Sequence, residues 1–73
     1  MTKIEFTGWV PGVKKISATH LIKENCRLTL GTAHNLVNQI LETNPLVHSF
    51  RYCRNPVIFV KDLNSLGIKA RLL

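Results

Sequence analysis

A chain of 73 residues has room for one domain with one core, near the lower size at which a fold stands without staples, and no room for a deep catalytic cleft. With 45% apolar residues it is a folded unit and not a disordered tail, and ten Lys and Arg against four Asp and Glu give a formal charge of +6 that favours acidic partners, whether phosphate, anionic lipid or protein. The longest apolar run, Val57 to Val60, is far too short to span a membrane and the N-terminus lacks the apolar stretch of a secretion signal, so a cytoplasmic location with Cys26 and Cys53 as free thiols is expected.

In chain order, Ile4 and Phe6 alternate with Lys3, Glu5 and Thr7. That period predicts a half-buried strand over residues 2–10, ended by Pro11 and Gly12. From Val13 to about Asn25 a helix is expected: Ala18, Leu21, Ile22 and Cys26 recur at helical spacing, with Ile16 close to the same stripe. Lys15, Thr19, Lys23 and Arg27 form an i, i+4 row on another side, to which Lys14 and His20 add. Thr29 can cap a second helix, in which Ala33, Leu36, Val37, Ile40 and Leu41 give the cleanest amphipathic pattern of the chain before Pro45 ends it.

Leu46 to Tyr52 is rich in β-branched and aromatic residues and reads as a second strand, with His48, Phe50 and Tyr52 on one face. The next segment has two readings. Asn55 and Pro56 suit the cap and first turn of a third helix carrying Phe59, Val60, Leu63 and Leu66 and stopped by Gly67, whereas Val57–Val60 also fits a hairpin with residues 46–52. The helix is preferred. Ile68, Ala70 and Leu72, facing inward between Lys69 and Arg71, make a third strand. The order β-α-α-β-α-β predicts an α+β fold: a single domain over residues 1–73, with helices on one face of a three-stranded antiparallel sheet.

The order of strand, "KKI", helix, "LTL" and "A-x-x-L-V", with the ending "LNSLGIKARLL", resembles the C-terminal domain of the bacterial ribosomal stalk protein over most of the chain, with a short deletion near residues 43–53. The Clp protease adaptor that recognises protein N-termini shares that fold. The resemblance implies a binding surface on the first helix and the corner after it, where the family presents basic residues to translational GTPases. By position Lys15 and Lys23 match family basic residues, and His20 and His34 stand where the family has lysines. The corner departs from the pattern, with Arg27 and Thr29 in place of glycines. The family's upstream dimerisation segment and hinge have no counterpart in these residues, and neither do the carboxylates with which the adaptor would hold an α-amino group. A stand-alone, divergent relative is expected, with a partner other than the family's usual one.

No nucleophile, base and orienting group stand in a recognised motif, so no catalytic residue is assigned and the protein is expected not to be an enzyme. The cysteines and histidines lack the paired spacing of a structural zinc site, and no metal or cofactor is expected. Trp9 either covers one end of the core or anchors a partner. Unlike an ordinary exposed helix, the basic side of the first helix forgoes interleaved acids apart from Glu24, which argues for a working surface. The expected function is a non-catalytic protein-binding module (an adaptor, an inhibitor, or an immunity-type or phage accessory protein) that meets an acidic protein surface through Lys15, His20, Lys23, Arg27, Leu28, Leu30 and His34. One alternative is a small nucleic-acid-binding protein using Lys14, Lys15, Lys23, Arg27, Arg51 and Arg54, with Phe50 and Tyr52 as stacking rings. Another is a translation-related domain that touches a GTPase. The oligomeric state is left open by the sequence.

Overall fold

A computed structural model describes residues 1–73. The elements are β1 (Thr2–Trp9), α1 (Lys15–Cys26), α2 (Leu30–Glu42), β2 (Leu46–Phe50), α3 (Pro56–Ser65) and β3 (Ile68–Leu72). The fold is the α+β arrangement that the sequence predicts: three helices and a three-stranded antiparallel sheet in the spatial order β2-β1-β3. The central strand β1 pairs Ile4 with His48 and Phe6 with Leu46 on one side, and Phe6 with Ala70 and Trp9 with Ile68 on the other. A register shift between Phe6 and Gly8 lets Thr7 bulge from the second ladder.

One core lies between the sheet and the helices. Ile4 and Phe6 of β1 meet Ala18 and Ile22 of α1, Ala33, Leu36, Val37 and Ile40 of α2, Phe50 of β2, Phe59 and Leu63 of α3, and Ile68 of β3. Phe50 sits between two other rings, edge to face with Phe6 at 6.4 Å and with Phe59 at 5.8 Å, so one aromatic group ties β2 to β1 and to α3. The sheet's other face is polar, and on it Glu5 pairs with Arg71.

Residues 56–65 are helical, which decides between the two readings of that segment. Pro56 stands in the first turn as expected, since its fixed φ and missing N–H suit that position. Asn55 does not cap with its side chain; it takes a left-handed backbone, φ 46°, at the entry to the helix. Thr29 does cap α2, accepting the Thr32 N–H at 3.2 Å. The second strand ends at Phe50, so Tyr52 lies in the following loop and does not share a strand face with Phe50 and His48. At the other sheet edge Leu72 is expected inward but stands exposed, because the core ends at Ile68 and the half-buried Ala70.

The start of α1 is held by the far end of the chain. The Val10 N–H donates to the Gly67 carbonyl and the Lys14 N–H to the Leu66 carbonyl, each at 2.9 Å. Gly67 has φ +98°, and a Cβ there would lie 2.9 Å from the Cα of Val13, so both the turn and the backbone contact require glycine. Gly67→Ala is therefore expected to destabilise the fold by about 1–3 kcal/mol, read as a lower urea midpoint with an unchanged slope. Gly12→Ala, also at positive φ but with open space around its Cβ, is expected to cost less.

Candidate functional site

The apolar side of α1 is the one that the spacing predicts, with Leu21 packed against the core beside it, but the basic row is not a continuous face. Ala18, Thr19, Ile22 and Cys26 turn inward. Thr19 is only 4% exposed and donates its hydroxyl to the Lys15 carbonyl at 2.9 Å, so the row Lys15, Thr19, Lys23, Arg27 is not a continuous exposed stripe. Ile16, expected near the buried stripe, is instead 76% exposed. On a helix with ~100° between successive residues, position 16 lies about 200° from Ala18, away from the core, while position 19 lies about 60° from Ile22. Helical arithmetic carried this signal; the i, i+4 pattern masked it.

Ile16 lines a groove between α1 and the first turn of α2, of about 560 Å³, with Lys15, Thr19, His20, Leu30, Gly31 and His34. Leu30 is half exposed (50%), because the capped first turn of α2 projects it away from the core. No carboxylate lines this groove. Glu24 of α1 and Asp62 of α3 line a separate, shallow hollow that shares His20. At Gly31 an added Cβ would meet nothing within 4 Å, so this glycine is not demanded by packing and leaves the groove open.

The residues expected to meet a partner are thus divided. Lys15, His20, Leu30 and His34 surround the groove, joined by Ile16 and Gly31, which the sequence analysis did not single out. Lys23 lies outside it and is 3.7 Å from Glu24. Arg27 takes a left-handed backbone, φ 53°, as the C-cap of α1, where its N–H donates to the Lys23 carbonyl. Its guanidinium stacks 4.3 Å from the centre of the Tyr52 ring. Arg27 and Leu28 line a different hollow with His48, Ser49, Phe50, Arg51 and Tyr52, and Leu28 packs partly against the core.

Trp9 is 43% exposed, and its indole N–H donates to the Leu41 carbonyl at 3.1 Å, capping an otherwise free carbonyl in the last turn of α2. Val57 and Ile58 at the start of α3 are also exposed, but neither lines a hollow. No three His, Cys, Asp or Glu side chains come together as ligands for one metal. Cys26 and Cys53 are neighbours, brought together by the hydrogen bond from the Arg54 N–H to the Asn25 carbonyl at 2.9 Å. Burial, with a smaller contribution from Cys53, pushes the Cys26 thiol up to about 12, and burial raises Cys53 as well. No helix of the chain is long and apolar enough to cross a membrane. Comparison with known protein families, with curated proteins and with solved structures finds no match to this chain.

Burial holds the His48 imidazole below its ordinary value of 6.5, and its ring stands edge to face with Phe50 at 4.5 Å. A lowered folded value means that the unfolded chain takes up the proton first, so His48 contributes stability that is present above pH 6.5 and is lost as pH falls through the lower folded value. Urea unfolding of the wild type and of His48→Phe should therefore show a smaller stability loss between pH 7.5 and pH 5 in the variant; equal losses would place the pH sensitivity elsewhere.

Proposed function

We propose that this protein is a non-catalytic protein-binding module, of adaptor or inhibitor type, that receives an acidic and partly apolar surface of another protein in the groove between α1 and α2. The observation that carries this reading is the exposure of Ile16 and Leu30 on one concave surface bordered by Lys15, His20 and His34, with no carboxylate among its lining residues. A branched apolar side chain 76% exposed at the mouth of a groove is surface that gains about 25 cal/mol for each Å² a partner covers. Lys15 supplies what apolar contact lacks, drawing acidic surfaces into encounter, and the His20 and His34 imidazoles offer hydrogen bonds that fix their orientation. Lys14 and Lys23 add to that field from outside the groove. A net charge of +6 in so small a chain strengthens the steering and makes it sensitive to salt.

Position supports the same reading. Of the four residues similar in place to the stalk domain's partner-binding positions, Lys15, His20 and His34 border this groove and Lys23 lies outside it. Arg27, which replaces a corner glycine of that pattern, faces a different hollow, and the groove is left with histidines where the stalk family has lysines. A partner with fewer carboxylates, or with hydrogen-bonding groups opposite the imidazoles, suits that substitution better than a strongly acidic one.

Affinity capture from the native host tests the proposal. Capture is expected to weaken with rising salt without vanishing. It should fall at least tenfold with Lys15→Glu, and equally with Ile16→Ala combined with Leu30→Ala, whose exposed side chains contribute little to folding. A captured set unchanged by all of these would remove the groove from the function. Gly31→Ala separates fold from function: a methyl group in the first turn of α2 should raise helix stability by a few tenths to about 1 kcal/mol, yet lower partner affinity by narrowing the groove.

A further inference from the structure

The hollow at the end of α1 is independent of the groove and differs from it in chemistry. It encloses about 480 Å³, within the range of sites that take small ligands, between the α1 C-cap, β2 and the loop after β2. Arg27 and Arg51 both line it, and neither is within ion-pair distance of a carboxylate; the chain's ion pairs are Lys23–Glu24 and Arg71–Glu5. Tyr52, exposed and outside any strand, offers its ring to the same space, with the Arg27 guanidinium stacked on it. Ser49 and His48 add hydroxyl and imidazole groups to the wall.

The backbone around this hollow is unusual. The chain has only two non-glycine residues at positive φ, and both flank this corner: Arg27 ends α1, and Asn55 ends the loop that carries Arg51, Tyr52 and Arg54. A left-handed arginine costs about 1 kcal/mol relative to the glycine such a C-cap ordinarily holds. What arginine gains there is its side chain, aimed at Tyr52 and into the hollow. The Cys26 thiol in the wall brings no negative charge near neutral pH, since burial keeps it protonated.

We infer that this hollow binds a nucleobase with its attached phosphate: the base stacks on the layer formed by Tyr52 and the Arg27 guanidinium, and Arg51 meets the phosphate. A flat ring joined to an anion matches a flat cationic–aromatic layer beside a second free cation. A bare anion would leave Tyr52 unused, and an apolar ligand would leave two arginines unpaired. Free nucleotides and single-stranded RNA or DNA share this chemistry.

Fluorescence anisotropy with a labelled octanucleotide, as RNA and as DNA, tests the inference beside chemical-shift titration with adenosine monophosphate. Saturable binding in the micromolar range at low salt is expected in at least one arm, and which arm responds identifies free nucleotide or single strand as the source. Tyr52→Ala should weaken binding about 5- to 100-fold. Arg27→Gly is the sharper variant: glycine suits φ 53°, so thermal stability should hold or rise while binding falls by tenfold or more. Val57→Ala, exposed and outside both hollows, should leave binding within twofold and serves as the control. No binding at millimolar nucleotide and micromolar oligonucleotide would overturn the inference. So would binding that Tyr52→Ala and Arg27→Gly leave within twofold, which would assign it to net charge alone.

Discussion

The backbone clasp between the loop after β1 and the turn before β3 governs the rest of the structure. Leu66 and Gly67 accept hydrogen bonds from Lys14 and Val10, and the missing side chain of Gly67 lets the strands' connections touch at Val13. This fixes where α1 begins, and hence the height at which Lys15 and Ile16 stand over the first turn of α2. The Thr29 cap fixes the other wall by starting α2 at Leu30. Two backbone requirements, one at each helix N-terminus, the first long-range and the second local, therefore set the geometry of the groove.

The arrangement of polarity follows from the one-sided packing. The helices and one sheet face enclose the core, with Phe6, Phe50 and Phe59 meeting edge to face at its centre. The outer sheet face is solvated and places Glu5 opposite Arg71. A domain of this size has a stability of only about 4–11 kcal/mol, and losing a buried Phe costs about 3–5 kcal/mol. The core therefore has little spare. Ile16 and Leu30 stand outside it, as Val57 and Ile58 do, but unlike those two they share a groove with Lys15, His20 and His34. The unpaired arginines gather instead at the opposite end of α1. Lys15 stands at the groove and Arg27 and Arg51 at the hollow, so these cations do not form one basic helix face.

Much of this architecture was legible in the residues. The alternation at Ile4 and Phe6 and the spacing of Ala33, Leu36, Val37 and Ile40 each point to one element, and the structure has those elements with the same faces buried. The segment after Asn55 was ambiguous because Val57, Ile58 and Val60 favour strands; the helix forms because Phe59 and Leu63, one turn apart, both reach the core while Val57 and Ile58 face solvent. The candidate site was legible only in part. Lys15, His20, Leu30 and His34 were singled out from charge and position, but that they share a groove, and that Arg27 and Leu28 do not join them, depends on how α1 crosses α2 and on the left-handed turn at Arg27. Neither the clasp at Gly67 nor the stacking of Arg27 on Tyr52 can be read from local patterns, since each joins residues far apart in the chain.

Site-specific photo-crosslinking in cells of the native host tests the central claim most directly, with a photoreactive side chain placed in turn at Ile16, Leu30, Val47 and Val57. All four positions are exposed apolar sites, and only the first two line the groove. The account predicts one discrete adduct of the same size from positions 16 and 30, absent from 47 and 57. Adducts from position 47 or 57 with none from 16 and 30 would contradict it, as would the same adduct from all four.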